Sequence, residues 1–356
     1  MNKDIIEKAK IITQAVKDRA KAEGKISVFS IGNTTKKSNV TDLASFFPVV
    51  RVLDQAVWGN IVVYLQEDAV EIAKAIDGKV DIILADAEKK ALKVPGVDLG
   101  NIASGVEQVV KKSKYFSFKA NDLTVEATDV FIAQTFYRLA GRKAAIVGCG
   151  NIGSKLALKL VERGVDVVIT RRDNAALVNI TEALNIIKPK ETVAKVTYAT
   201  DNLNASVGVD ILVGFSPGVP VINVDMVKVM KKDGIIIDGG KGCVFPDAID
   251  YAEKIGIRVY RMDVRAGFEG ALTAILKTQQ LIKSVMGRRK VNDIFFVAGG
   301  AIGHRGDIVV DDINNPTVIA GVANGHGDML IELTKADKEK IEKAKVFLRK
   351  RVKHKR

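Results

Sequence analysis

The segment from Lys143 to Asp173 constrains this chain more than any other. It opens on Ala144-Ala145-Ile146-Val147, an apolar run suited to a strand buried on both faces. Gly148, Gly150 and Gly153 follow in GxGxxG spacing, and Ser154-Lys155-Leu156-Ala157 then begins an amphipathic helix. A second apolar run, Val165 to Thr170, comes next. Strand, glycine turn, helix and strand in that order predict a unit that binds a dinucleotide. Gly148 permits the tight turn, Gly150 lets the backbone approach a pyrophosphate, and Gly153 lets the helix lie close on the strand. The helix start at Asn151 and Ile152 then presents free N–H groups and a partial positive charge to phosphates.

The end of the second strand bears on which dinucleotide. A site for NAD places Asp or Glu about 20 residues past the first glycine, to hold the ribose hydroxyls. Here the chain reads Thr170-Arg171-Arg172-Asp173. Two guanidinium groups suit a 2′-phosphate, which Arg pairs bidentately, so NADP is the expected cofactor. Asp173 keeps NAD as the alternative. Two more loops fall at predicted strand C-termini, where ligands bind in such sheets: Gly214 to Pro220, with Ser216, and Asp238 to Cys243, with Gly239. Both are candidates to line ribose and nicotinamide, and both equally suit plain turns.

The rest of the chain alternates strand and helix patterns. Residues 1–22 read as a helix with Ile5, Ile6, Ala9, Ile12, Val16 and Ala20 on one face. Strands are expected at 25–31, 49–53, 79–84 and 115–118, and a helix at 60–77 that starts ambiguously on Ile61-Val62-Val63-Tyr64. A helix from Asp122, as N-cap, to Leu139 leads into the glycine unit. Further strands are expected at 143–147, 165–170, 195–198, 209–214, 234–238 and 258–264, making a doubly wound Rossmann sheet. A helix at 269–286 follows, then a glycine-rich stretch with short strands at 308–310 and 317–319, and a charged helix at 335–351. The fold class is therefore α/β. The expected domains are an N-terminal α/β substrate domain (1–120), a connecting helix (121–140), a Rossmann NADP-binding domain (141–265), a returning helix (266–290) and a C-terminal extension with a basic tail (291–356).

Composition narrows the function classes. No apolar run reaches the ~18–20 residues that span a bilayer, and the charged N-terminus lacks the apolar stretch of a signal peptide. A cytoplasmic protein with no membrane partner is expected. Cys149 and Cys243, the two cysteines, form no metal-like pair and read as packing residues. A net charge of +13 favours anionic ligands. Basic residues are dispersed except in the tail from Arg349 to Arg356, so a solvated tail is preferred to a nucleic-acid contact. The glycine-rich C-terminal stretch suits a contact between copies of the chain, and a homodimer is expected.

The order of parts resembles the two-domain superfamily that includes shikimate dehydrogenase and the bifunctional methylenetetrahydrofolate dehydrogenases, most closely over residues 115 to 287. Thr170-Arg171-Arg172-Asp173 is similar to the Asn-Arg-Thr NADP motif of the shikimate enzymes. Ala266 to Thr273 is similar to the glycine-rich loop opening the returning helix of the folate enzymes, and Lys119-Ala120-Asn121-Asp122 loosely resembles the shikimate Gly-x-Asn-Thr-Asp. The resemblance implies the fold, the cofactor and a substrate cleft between two domains. It stops short of a substrate. Asn39-Val40-Thr41 is not followed by the shikimate Pro and Lys.

Hydride transfer needs a proton donor or acceptor beside the nicotinamide, typically His, Lys or a carboxylate. Asp122, where the chain would cross the cleft, ranks first, against the plain reading of a helix cap. Asn121 is a candidate to orient a polar group and Lys119 to bind an anion or give a proton. Lys36, Lys37 and Lys241 are weaker lysine candidates. His304 and His326 sit in two echoing loops, Gly303-His304-Arg305-Gly306-Asp307 and Gly325-His326-Gly327-Asp328, suited to acid–base work, a metal site or simple turns. The expected function is NADP-dependent hydride transfer to or from a small anionic metabolite. The alternatives are a dinucleotide-binding sensor or scaffold without turnover, and a nucleic-acid binder acting through the tail.

Overall fold

The computed structural model describes residues 3–34, 48–88 and 101–353. Lys36, Lys37, Asn39-Val40-Thr41 and the last three residues of the tail lie outside the described residues. The chain divides into two compact units, Met1–Ala271 and Leu272–Arg356.

The first unit is α/β and holds two sheets. Helix α1 (Lys3–Glu23) buries Ile5, Ala9, Ile12, Val16 and Ala20, the stripe that a period of 3.6 residues places on one face. It lies on strands β1 (Ile26–Asn33) and β3 (Ala56–Val63) so closely that a Cβ at Gly59 would stand 2.6 Å from Val16 Cγ2. With β2 (Val50–Val52), β4 (Ile82–Asp86) and β5 (Lys114–Phe118) these strands form a sheet ordered β2-β3-β1-β4-β5, parallel except for β2. The helix expected at 60–77 is corrected. Ile61-Val62-Val63 closes strand β3, and helix α2 (Gln66–Ile76) begins only after it. The β-branched run follows β propensity over the helical pattern downstream. Helix α3 (Ile102–Val109) leads into β5.

Helix α4 (Ala120–Thr135) leads to the second sheet. Its strands are β6 (Lys143–Val147), β7 (Asp166–Thr170), β8 (Val196–Tyr198), β9 (Ile211–Gly214), β10 (Ile235–Asp238) and β11 (Arg258–Arg261). All pair in parallel, in the order β11-β10-β9-β6-β7-β8. Counted from β6, this is the doubly wound order 3-2-1-4-5-6, with its switch point between β6 and β9. Alternate residues of β6 feed two cores: Ala144 and Ile146 enter one, Ala145 and Val147 the other. Helices α5 (Asn151–Glu162) and α6 (Asn174–Ile187) carry the chain between the first three strands. Asn185 of α6 closes the free edge of β8, donating through Nδ2 to Val196 O at 2.7 Å and accepting from Val196 N–H at 3.1 Å.

Helix α10 (Arg265–Gln280) follows α7–α9 (Asn202–Ala205, Val224–Lys228, Pro246–Lys254). Its first turn is tied to the N-terminal sheet. Phe268 stacks on Trp58 with ring centroids 3.8 Å apart, and Glu269 accepts the Asp54 N–H at 2.7 Å. A π-helical turn, Leu281–Val285, continues α10.

In the second unit, β12 (Gly287–Val291) and β13 (Ile294–Ala298) form a hairpin whose turn places Asn292 at φ +52°. Neither strand was expected from the sequence. β14 (Ile308–Val310) pairs with β13, and β15 (Ile319–Val322) with β14. Helix α11 (Lys335–Lys353) covers the sheet with Ala344 and Leu348. Among the described residues, no helix is long and apolar enough to cross a membrane.

Candidate active site

The turn between β6 and α5 meets each requirement placed on its glycines. Gly148 has φ +86°, and a Cβ there would lie 3.2 Å from the Phe215 backbone. A Cβ on Gly153 would lie 3.2 Å from Ile146 Cγ2, so its absence lets α5 rest on β6. Gly150 differs: a Cβ there would meet nothing within 4 Å. Its missing side chain leaves space in front of the helix N-terminus, where Gly150 is the N-cap without a capping side chain. The turn is held by Thr170 O, which accepts the N–H groups of Gly148 at 3.2 Å and Cys149 at 2.8 Å. Cys149 is buried, burial pushes its thiol up, and it is a packing residue.

Beyond β7 the four motif residues divide their tasks. Thr170 is buried and its hydroxyl donates to Asn202 Oδ1 at 2.7 Å. Arg171 Nη1 donates to Cys149 O at 3.3 Å, which lays the guanidinium along the glycine turn. Arg172 is exposed. Asp173 is the N-cap of α6, its carboxylate accepting the Ala176 N–H at 3.1 Å. The one acid in the motif is therefore engaged with its own helix, while Arg171 lies against the turn and Arg172 is exposed.

The β9 and β10 loops lock together beside it. A Cβ at Gly239 would lie 2.3 Å from the Phe215 ring, and one at Gly240 would lie 2.0 Å from Ser216 O. The buried Ser216 hydroxyl bonds to Val219 O and to Cys243 Sγ. Burial raises the Cys243 thiol to about 11, so it stays protonated near neutral pH. Burial also pushes the Asp238 carboxyl up, but the N–H groups of Cys243 and Gly242 and the Arg261 guanidinium outweigh it and leave it below the usual range. Ser216 and Gly239 thus serve this interlock, at the sheet end where the glycine turn lies.

The first turn of α4 meets the first turns of α5. Asn121 Nδ2 donates to Asn151 Oδ1 at 3.2 Å, and Asn121 N–H donates to Glu88 Oε2 at 2.8 Å. Lys155 forms a short ion pair with Asp122 and stands 3.8 Å from Glu88. Lys119 lies 3.9 Å from Asp122. Asp86, buried at the end of β4, accepts the N–H groups of Glu88 at 3.0 Å and Ala120 at 3.4 Å, and so fixes both segments. The expectation that Asp122 caps its helix is corrected. Lys119 is the N-cap and Asp122 sits three residues in, its carboxylate turned to Lys155. Lys155 and Glu88 were missed. The available signal was that Asn151 and Lys155 share one helix face at i, i+4; what they face is not readable locally.

His304 belongs to the C-terminal unit. There the two echoing loops are neighbours: Gly306 N–H donates to Ala323 O at 2.9 Å, and a Cβ on Gly325 would lie 3.0 Å from Arg305 N. His304 N–H donates to Asp307 at 2.8 Å, and Arg288 grips Asp307 through two bonds of 2.6 and 3.0 Å. Both His304 and His326 are exposed. Among the described residues, no group of three or more His, Cys, Asp or Glu side chains is placed to hold a metal ion.

Residues 143–213 match the family model described as NADP oxidoreductase, coenzyme F420-dependent. Among solved structures, the chain is similar to a dipicolinate synthase chain from Bacillus halodurans (16% identity over 70% of this chain and 97% of that one, TM-score 0.37). It is similar to ornithine carbamoyltransferase from Gloeobacter violaceus (17% identity, 76% and 93% covered, TM-score 0.40). It is also similar to a shikimate dehydrogenase in complex with NADP+ (11% identity, 67% and 85% covered, TM-score 0.39). These likenesses are distant.

Proposed function

We propose that this chain is an NADP-dependent oxidoreductase that moves a hydride to or from a small, anionic metabolite bound between the N-terminal and Rossmann parts of its first unit. The observation that carries the reading is the glycine turn. Its backbone is left-handed where the turn demands glycine, close-packed where the helix demands it, and open only at Gly150, where phosphate has to approach. The family match over 143–213 supports the same cofactor. NADP is preferred over NAD because Asp173 is occupied as a helix cap while Arg171 lies along the turn and the exposed Arg172 follows it in sequence.

For the proton step, Asp122 and Lys155 are the proposed pair, with Glu88 adjoining and Asn121 positioned by Asn151. A carboxylate–ammonium pair beside a dinucleotide helix can pass one proton to or from a substrate oxygen. Lys119 stands at the rim of this group. His304 remains a candidate on the C-terminal unit alone. That unit exposes Ile302 (69%) and Ile331 (101%), which supports a homodimer contact there, to be checked by light scattering.

Titration of NADPH fluorescence tests the reading. Micromolar binding, with NADH at least tenfold weaker, is expected; absence of binding by either refutes it. A dinucleotide-binding sensor without turnover is supported by the ion pairing that already engages Asp122. Turnover lost in Asp122→Asn with NADPH affinity retained would exclude that reading.

A further inference from the structure

The loop after β10 reads Gly239-Gly240-Lys241-Gly242. It is clamped from both sides. Asp238 accepts the N–H groups of Gly242 at 2.7 Å and Cys243 at 3.0 Å, and Arg261 Nε holds the same carboxylate at 3.0 Å. On the other side, Gly239 and Gly240 sit against Phe215 and Ser216 with no room for a Cβ. Inside this fixed frame Lys241 has φ +65°, in the left-handed region that glycine adopts at no steric cost. Glycine stands on both sides of it. A lysine thus occupies the very position where a third consecutive glycine would suit the backbone better.

Among the described residues, nothing pairs with its side chain in return. Lys241 is exposed and forms no ion pair among the described residues, the nearby Asp238 being paired with Arg261. Its carbonyl lies 3.5 Å from the point where a Cβ on Gly218 would stand. Lys241 therefore belongs to the same loop surface as Ser216, whose N–H lies 3.3 Å from the corresponding point on Gly148. That surface follows β9 and β10, on the far side of the switch point from the Arg171 end of the site. A dinucleotide that places its adenosine phosphate by Arg171 and its pyrophosphate by Gly150 extends its nicotinamide toward these loops.

We propose that Lys241 is a specificity-determining cation at the nicotinamide end: its ammonium takes the anionic oxygens of the substrate and favours the uncharged, reduced ring over the oxidised, positively charged one. This rests on the reading of the first unit as an NADP site. It explains why a charged residue is kept in a conformation that costs the fold stability. A fixed loop delivers the charge without an ordering step for the backbone at binding.

Dissociation constants for NADPH and NADP+ in the parent, Lys241→Gln, Lys241→Gly and Lys241→Arg test it. Removing one positive charge near the oxidised ring should move the NADP+ to NADPH affinity ratio about threefold toward NADP+ in Gln and Gly, and leave it unchanged in Arg. Lys241→Gly should melt no lower than the parent, because it relieves the backbone. Oxalate, used as a small dianionic probe, should tighten NADP+ binding in the parent and Arg variant but not in the other two. An unchanged ratio in Gln and Gly overturns the proposal. So does an oxalate effect that is missing in the parent or persists in those variants. A parent that binds neither dinucleotide defeats the NADP reading itself, before any variant is compared.

Discussion

Replacing Gly150 by alanine separates folding from cofactor binding in one step. Gly150 sits at φ −109° and ψ −147°, outside the left-handed region, and a Cβ there meets no atom within 4 Å. The fold should accept the methyl, and the stiffer unfolded chain should add about 0.4–1 kcal/mol of stability. The same methyl enters the space through which the pyrophosphate reaches the N–H groups of α5. Losing one charge-assisted contact costs about 1.5–3 kcal/mol, which corresponds to roughly 10- to 100-fold in affinity. Gly148→Ala is the contrast. At φ +86° with backbone 3.2 Å away, it should destabilise by about 2 kcal/mol or more. Trp58 is the only tryptophan and is buried, so its emission reports unfolding, while NADPH fluorescence reports binding. Unchanged NADPH affinity in Gly150→Ala, at a melting temperature no lower than the parent's, would refute the placement of the phosphates.

Other substitutions probe the remaining parts. Arg172→Ala should weaken NADPH by about tenfold and leave NADH nearly untouched, since one charged hydrogen bond is lost; equal losses for both would point away from a 2′-phosphate contact. Lys155→Met should lower turnover at least tenfold and flatten one limb of its pH profile, measured by NADPH oxidation once a substrate is found. Phe268→Ala should cost about 3–5 kcal/mol in denaturant unfolding, because the ring is 1% exposed and stacked on Trp58. Asp210 accepts bonds from Arg142, Lys143 N–H and Lys231, each at 2.9 Å. Burial raises its carboxyl, but these partners outweigh burial and hold it below the usual range. The stability it supplies is therefore full above the unfolded value of about 3.9 and is lost as pH falls through the folded one. Asp210→Asn should be less stable at neutral pH and show a shallower acid limb in urea titrations.

The dinucleotide unit was legible because every constraint on it is local. Strands buried on both faces read as apolar runs, and the glycine spacing states which backbone positions must be bare. The start of α4 was misplaced by three residues because Lys119 carries no capping oxygen, so Asp122 offered the nearest cap chemistry. The hairpin of β12 and β13 was overlooked although Asn292-Asp293 between apolar residues is a two-residue turn; the run Arg288-Arg289-Lys290 hid the strand on its charged edge. Lys155 and Glu88 were unreadable for a different reason. Their meeting is made by two helices and a strand end that lie far apart in sequence, and no local pattern encodes it. The strain at Lys241 was likewise invisible, since φ at that position is imposed by Asp238 and the neighbouring loop.

The carboxamide of Asn185 acts as a terminator for the Rossmann sheet. It supplies both an acceptor and a donor to the outward backbone of Val196, as one residue of a further strand would. A parallel sheet grows by recruiting whatever exposed strand comes next, and here the first rung of that ladder is already occupied from within. Ile186, Ile187, Val193 and Tyr198 surround this edge and are exposed, so an open edge beside them would invite strand exchange between copies. One amide side chain thus separates an apolar surface that can be touched from a sheet that can be extended.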